Sequence, residues 1–352
     1  MNLYKSETFI KDLETAAKNT VGIEKLKNKT VFITGATGTI GSFIVDVLMR
    51  YNDTDNAEID VYASGRSIDK LTRRFGGVKT DKLHFVEHDI LNPIDFDFNA
   101  DYIIHAAGNA YPAVFASNPV ETIVGNISGT YNLLEYAKNH GTKRFLYVSS
   151  GEVYGQGDLS LDEFNENYGG YVSPTEPRSC YPGSKRTAET LCASYTKEYG
   201  LGTVIVRPCH TYGPCMTSAD NRANAQFFNN VLNDEDIIMK SAGTQMRSYC
   251  YIADCASASL TILLCGNAGE AYNSANPDAR TTIAGFAHEV ASAAGKQVIF
   301  ADPTAADIAQ RTPIAKQVLS SDKLLSLGWR GEYSVKKGVE NTIKILKEAK
   351  VD

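Results

Sequence analysis

A tyrosine and a lysine stand four residues apart in Tyr181-Pro182-Gly183-Ser184-Lys185. On a helix that spacing puts both side chains on one face, with an ammonium in reach of a phenol. A free phenol titrates near ~10, and a nearby cation together with a hydrogen bond to the ionised form lowers that value toward neutrality. The pair therefore reads as a general base and its activator, acting on a hydroxyl-bearing substrate. A surface Tyr and Lys meeting by chance is the plain alternative, and a second hydroxyl weighs against it. Ser150, in Ser149-Ser150-Gly151-Glu152-Val153-Tyr154-Gly155, follows the strand-like run Phe145 to Val148. That is the carboxyl end of a strand, where open α/β sheets place their ligands, and a hydroxyl there can bond a substrate oxygen beside Tyr181.

Elements that would hold these groups repeat along the chain. Thr30 to Thr34 is a short buried strand, and Gly35-Ala36-Thr37-Gly38-Thr39-Ile40-Gly41 leads from it into a helix running through Met49. A glycine-rich turn between strand and helix lets backbone amides approach a pyrophosphate, with the helix dipole favouring its charge. Gly35, Thr37, Gly38, Thr39, Ile40 and Gly41 are thus expected to bind a dinucleotide. Further strands are expected at Ile59 to Ala63, Leu83 to Val86, Tyr102 to Ile104 and Thr203 to Val206, with helical patterns between them, an alternation that predicts a doubly wound parallel sheet of Rossmann type. Asp89 and Ile90 after the third strand are placed to meet an adenine ring, and Ala106 and Ala107 after the fourth complete the cofactor contacts. After the second strand comes Ala63-Ser64-Gly65-Arg66-Ser67. An acidic residue at that point would hold a ribose 2′-hydroxyl; Ser64 with Arg66 leans toward a 2′-phosphate, so NADP is favoured over NAD.

Residues 1–29 read as a helical extension, with Thr8 to Leu26 an amphipathic helix laid on the main body. The dinucleotide-binding domain is expected over 30–208, with 249–265 returning to it. A smaller mixed α/β domain over 209–248 and 266–352 carries helices near Ala223 to Leu232, Thr281 to Ala294 and Val335 to Ala349. The formal net charge of −6 over 352 residues, with no run of Lys and Arg, argues against nucleic-acid binding. No apolar stretch approaches a membrane span and no secretory leader is visible, so a cytoplasmic location is expected. Seven cysteines between Cys180 and Cys265, without C-x-x-C spacing, read as reduced thiols rather than disulfides or metal ligands. Cys180, beside Tyr181, is the one with a conceivable reactive role.

Taken together, the glycine turn, Asn126-Ile127-Ser128-Gly129-Thr130, the Ser150/Tyr181/Lys185 set, Arg207-Pro208, Tyr212-Gly213-Pro214 and Arg247 ahead of Tyr251-Ile252-Ala253-Asp254 resemble the extended short-chain dehydrogenase/reductases that modify nucleotide-linked sugars. The resemblance covers most of residues 30 to 330. It implies NAD(P), a nucleoside diphosphate sugar as substrate, and a homodimer formed through helices such as the one holding Tyr181. Within that family the likeness is greatest to UDP-glucuronate decarboxylases, through Arg178-Ser179-Cys180-Tyr181, Asn118-Pro119-Val120-Glu121-Thr122-Ile123 and Asp220-Asn221-Arg222. That likeness implies a catalytic role for Glu152, a role near the sugar carboxylate for Arg222, and phosphate or ribose contacts for Arg247 and Arg311. Asn126 and His210 fall at substrate-binding positions.

Departures keep other reactions open. Those decarboxylases have Thr-Ser-Glu where this chain has Ser150-Gly151-Glu152, and Asn where His210 stands. A 4,6-dehydratase would want an aspartate at Gly151. A 4-epimerase needs only Ser150, Tyr181 and Lys185, a 4-keto reductase would suit NADPH, and an NADP-binding sensor would need no activated phenol at all.

Overall fold

The computed structural model describes residues 2–108, 110–217, 220–304 and 314–350. Its strands are β1 (Thr30–Thr34), β2 (Asp60–Gly65), β3 (Leu83–Glu87), β4 (Tyr102–His105), β5 (Arg144–Val148), β6 (Thr203–Pro208), β7 (His210–Tyr212), β8 (Ile237–Met239), β9 (Met246–Tyr251), β10 (Ala271–Ser274), β11 (Arg280–Thr282), β12 (Val298–Phe300) and β13 (Lys316–Gln317). The helices are α1 (Glu7–Lys18), α2 (Thr39–Asp55), α3 (Ile68–Phe75), α4 (Pro112–Ser117), α5 (Pro119–Asn139), α6 (Cys180–Tyr199), α7 (Ala223–Leu232), α8 (Ile252–Cys265), α9 (Ile283–Ala294), α10 (Asp322–Leu325) and α11 (Val335–Glu348).

Seven strands form one parallel sheet in the order β10-β6-β5-β4-β1-β2-β3. Successive side chains of a strand face opposite ways, and here both faces are covered. Val31, Ile33, Val61, Leu146 and Val206 pack into one core with α1, α2 and α8, while Phe32, Ile103, Phe145, Tyr147 and Ile205 pack into a second with α5 and α6. This explains why the strands read as unbroken apolar runs. From β1 the chain winds outward through β2 and β3, then crosses back to β4 and winds the other way. The reversal parts the loops that follow β1 and β4, and a crevice opens at the carboxyl ends of the strands.

A smaller sheet is built on β9, which pairs antiparallel with β11 and parallel with β7 and β13. β8 and β12 form a separate parallel pair. The expected division of the chain needs correction here. β9 belongs to the small sheet, and only its continuation α8 packs on the large one. Beyond residue 266, β10 rejoins the large sheet by pairing Ala271 with Ile205. A four-residue strand reached from a helix carries little periodicity of its own, and its place is set by tertiary pairing.

The N-terminal helix is also shorter than its apolar pattern. α1 ends at Lys18, and Gly22, at φ +79°, starts a separate 3-10 turn over Ile23–Leu26. Phe9, Leu13, Ala16 and Ala17 are buried as expected. Less expected is the buried Asp12 on the same face. Its carboxylate accepts from the Tyr251 hydroxyl at 2.5 Å, the Tyr333 hydroxyl at 2.8 Å and Asn341 Nδ2 at 2.8 Å, so one side chain ties α1 to β9, to the segment before α11 and to α11 itself. Burial pushes this carboxyl above its ordinary range while the three donors pull it back. Among the described residues no helix is long and apolar enough to cross a membrane.

Because Asp12→Ala leaves three buried donors without an acceptor, it is expected to destabilise the fold by about 3 kcal/mol, whereas an exposed control such as Asp69→Ala stays within roughly 0.5 kcal/mol. Chemical denaturation of both variants checks this, and equal midpoints would show that the clamp contributes nothing.

Candidate active site

At the mouth of β1 the chain turns where only glycine fits. Gly35 has φ +69°, and a Cβ on it would stand 2.6 Å from the Ala106 carbonyl and the Ala107 nitrogen. A Cβ on Gly41 would meet the Gly35 oxygen at 2.4 Å. α2 begins at once, and its cap Gly38 offers no side-chain hydrogen bond, so the first-turn amides are left for another acceptor. Gly38, Thr39, Ile40 and Gly41 line a cleft of about 940 Å³ that continues past Ala106 to the ends of β5 and β6. This cradle fits the pyrophosphate of a dinucleotide. Thr37 lies in the same turn, half-buried. Ser64 is buried in register with Thr34, and Arg66 is exposed at the end of β2. The Asp89 carboxylate caps its own turn through the Leu91 amide at 3.1 Å, while Ile90 packs against Gly129. Neither lines the cleft.

Farther along, β5 runs into Ser149 and Ser150, and α6 starts at Cys180, so Ser150, Glu152, Tyr181 and Lys185 meet in one wall. Tyr181 is 6% exposed and stacks on Phe115 of α4 with ring centroids 4.3 Å apart. The Lys185 ammonium donates to the Val148 carbonyl at 2.8 Å, lies 4.7 Å from the centre of the Tyr147 ring and 5.8 Å from that of Tyr181. Here the expected activation is not what the geometry provides. Lys185 serves the end of β5, and burial followed by the Glu152 charge pushes the Tyr181 phenol up, to about 12. Ser150, through a hydrogen bond, and the charges of Arg222 and Arg178 pull it the other way. Burial also draws Lys185 down to about 8, against the charge of Glu189.

Both acidic and basic groups expected near a sugar carboxylate already have partners. The Glu152 carboxylate accepts from Arg178 Nη2 at 2.9 and 3.3 Å. Arg222 is doubly bonded to the buried Asp220, Nε at 2.9 Å and Nη2 at 2.5 Å. Asn126 departs from expectation. It is 2% exposed and absent from the cleft wall, its Nδ2 donating to Ser184 Oγ at 2.9 Å behind Gly108. Packing of α5 on α6 draws it into that interface, where it steadies the turn of helix between Tyr181 and Lys185. Cys180 is buried with its thiol pushed up by desolvation, which removes the reactive role.

The opposite wall comes from the small sheet. Register pairs His210 with Tyr249 and Gln317 with Arg247, which sets all four on one face toward the cleft. Arg247 is 2% exposed and donates to the carbonyls of Ile314 at 2.5 Å, Met246 at 2.9 Å and Ala315 at 3.3 Å. Burial, then the Arg247 and Arg222 charges, drive His210 down to about 3, so its imidazole is neutral. Arg311 lies outside the described residues. Arg178, Phe115, Tyr111 and Gln317 line or support the cleft without having been singled out from sequence. Only Arg178 carried a signal, its place in Arg178-Ser179-Cys180-Tyr181, three residues before Tyr181. Among the described residues no three His, Cys, Asp or Glu side chains gather as a metal site requires.

Comparison with known proteins agrees with this geometry. Residues 31–275 match the model of the NAD dependent epimerase/dehydratase family. UDP-glucuronic acid decarboxylase 6 of Arabidopsis thaliana is 37% identical over 227 residues, 64% of this chain and 64% of that protein, so the match spans less than two thirds of that relative. UDP-glucuronic acid decarboxylase 1 of Danio rerio is 32% identical over 317 residues, 90% of this chain and 72% of that protein. Among solved structures, a UDP-glucuronic acid 4-epimerase of Bacillus cereus superposes with a TM-score of 0.76 at 21% identity, covering 91% of this chain and 99% of that one, a likeness of fold. The matched span holds β1 to β10, the glycine cradle and the Ser150, Tyr181 and Lys185 wall, and the chain belongs to the NAD dependent epimerase/dehydratase family.

Proposed function

We propose that this chain oxidises C4 of a nucleoside diphosphate sugar and decarboxylates it, with a UDP-glucuronate-type substrate. The observation that carries the reading is a single cleft with a dinucleotide cradle at one end and Ser150, Tyr181, Glu152, Arg178 and Arg222 around the other. Gly35 to Gly41 would hold the cofactor's pyrophosphate, and bound there the nicotinamide would take a hydride from C4 and return it. Ser64 and Arg66 at the end of β2 support a 2′-phosphate, hence NADP, and Asp89 with Ile90, outside the cleft wall, would meet the adenine only at its outer edge.

Tyr181 Oη, in its ionised form, takes the 4-hydroxyl proton, with Ser150 beside it in the wall favouring that form. A ketone at C4 is β to the C6 carboxylate. When the C5–C6 bond breaks, carbon dioxide leaves and its electron pair spreads to the C4 oxygen, where Ser150 and Tyr181 donate hydrogen bonds. Arg178 and Arg222 supply positive charge for the carboxylate, and the Glu152 carboxylate would relay a proton from water to C5. His210 and Arg247 on the small sheet, with Arg311, would meet the nucleotide and diphosphate. The second reading is a 4-epimerase acting on a neutral sugar. It is favoured by the two closed ion pairs, Glu152 with Arg178 and Arg222 with Asp220, and by glycine at 151.

An exposed face of α5 supports a homodimer. Val120, Ile123, Val124 and Tyr131 form an exposed apolar stripe, 65%, 40%, 42% and 49% accessible, on the helix that packs beside α6.

UDP-glucuronate incubated with the protein and NADP or NAD is expected to yield UDP-xylose or a 4-keto pentose by NMR, faster with NADP; an inert glucuronate beside conversion of UDP-glucose would establish the epimerase reading instead. Removing the anion that raises the Tyr181 phenol should favour its ionised form, so in Glu152→Gln the rising limb of the kcat/KM profile moves to lower pH whatever happens to its height. An unmoved limb would detach the profile from Tyr181. Val120→Glu with Val124→Glu is expected to sediment as a monomer where the unaltered chain sediments as a dimer, and a dimer that survives would place the interface elsewhere.

A further inference from the structure

Gln317 stands apart from the other polar residues of the cleft. It is 4% exposed, it lines the cleft, and no hydrogen bond joins its side-chain amide to a described residue. The side chain is buried but its amide opens on the cleft, where it can bond a ligand. Its surroundings say where that partner would be. A Cβ added to Gly151 would lie 3.2 Å from Gln317 Nε2, 3.2 Å from Leu319 Cδ1 and 3.3 Å from the Pro208 carbonyl. Gln317, with Leu319 and the Pro208 carbonyl, therefore crowds the space that a side chain at 151 would enter, and glycine leaves it open.

The neighbours of residue 151 fix the chemistry. Ser150, Glu152 and Tyr181 line the same wall, and on the proposed reading Tyr181 marks the C4 oxygen of the sugar. With the sugar's C4 oxygen at Tyr181, the Gln317 amide beside Gly151 would face the substituent on the adjacent carbon, C5. An amide NH2 donates to a carboxylate and an amide oxygen would repel it, and the same side chain can serve a hydroxymethyl group either way. In register with Gln317 on β9 is Arg247, so the NH2 is the end that a carboxylate in this cationic cleft would meet.

We propose that Gln317 is a specificity-determining residue, donating its side-chain amide to the C5 substituent of the sugar and replacing, from the small sheet, a hydroxyl carried at position 151. The inference rests on the C4-oxidation reading of this cleft. Gln317 and Gly151 act as one pair: a side chain at 151 would crowd the amide at 317, as it would Leu319 and the Pro208 carbonyl.

The test is binding rather than turnover, by calorimetry with UDP-glucuronate, UDP-glucose and UDP. Gln317→Ala is expected to weaken UDP-glucuronate by about tenfold or more, the loss of one hydrogen bond to a charged group, and UDP hardly at all. The near-isosteric Gln317→Glu places like charges together, so its loss is confined to UDP-glucuronate and UDP-glucose is spared. Gly151→Ser alone crowds the amide and weakens both sugars, and Gly151→Ser combined with Gln317→Ala restores sugar binding toward that of the unaltered protein. Equal losses for all three ligands, or no loss in Gln317→Ala, would overturn the proposal. Where turnover follows the decarboxylase course, Gln317→Ala raises KM more than it lowers kcat. Failure of the unaltered protein to convert UDP-glucuronate would strike the decarboxylase reading alone, because the affinities are measured without turnover.

Discussion

The Lys185 ammonium is 5% exposed and rests on one carbonyl, that of Val148 at 2.8 Å. Removing such a charge from water costs several kcal/mol, and the arrangement around it is what offsets that cost. The Tyr147 ring lies beneath it, and Glu189, one turn farther along α6, supplies the opposing charge. Glu189 is itself fixed by Ser149 Oγ at 2.5 Å and by a two-point pair with Arg207 at 3.0 and 2.7 Å. Arg207 Nη1 reaches on to the Tyr154 hydroxyl at 3.0 Å. These groups come from the ends of β5 and β6, from the turn after β5, and from α6. Their positions follow from one register, Val148 beside Val206, and a slip by one residue would turn Tyr147 and Arg207 to opposite faces.

The same scarcity of water governs the phenol. Burial raises Tyr181, and the polar groups near it decide how far. Each of the nearby charges is tied to a partner of opposite sign, Glu152 to Arg178 and Arg222 to Asp220. Paired charges keep their places without drawing water into the cleft, and they still act on the phenol over the short distances of a low-dielectric wall. Burial therefore prevails over these groups and keeps the Tyr181 phenol above its ordinary value, with Ser150 and the Arg222 and Arg178 charges opposing it.

Much of this was legible along the chain because its signals are local. The glycine turn must follow a buried strand and open a helix, and Tyr181 and Lys185 must share a helix face; both are written within a few residues. Parallel strands buried on two sides read as apolar runs, so six of the seven strands of the large sheet stand out. What escaped is long-range. β10 is four residues whose place depends on β6. Gln317 lies 166 positions beyond Gly151 and meets it only through the pairing of β13 with β9. The expected lowering of the Tyr181 phenol failed for a related reason: spacing shows that a lysine is near, but the balance between its charge and the burial of the phenol depends on where the Val148 carbonyl ends up. Asn126 likewise looked like a ligand residue, and the packing of α5 on α6 turned it inward.

The wall that carries Arg247, Tyr249 and Gln317 is not free to move independently. β9 passes directly into α8 at Tyr251–Ile252, and α8 is buried along its length against α2, β5 and β6. At the start of α8, the Asp254 carboxylate accepts from the Glu332 and Tyr333 amides at 3.0 and 3.1 Å and from Asn276 Nδ2 at 3.0 Å, and Tyr251 reaches Asp12 on α1. To shift the small sheet against the cofactor cradle, this helix would have to slide in a packed core, at a cost far above that of rotating a side chain. On the proposed reading, discrimination among sugars would then fall to the groups that two rigid walls present to each other. A change at 151 on one wall is answered at 317 on the other, because the space between them is fixed.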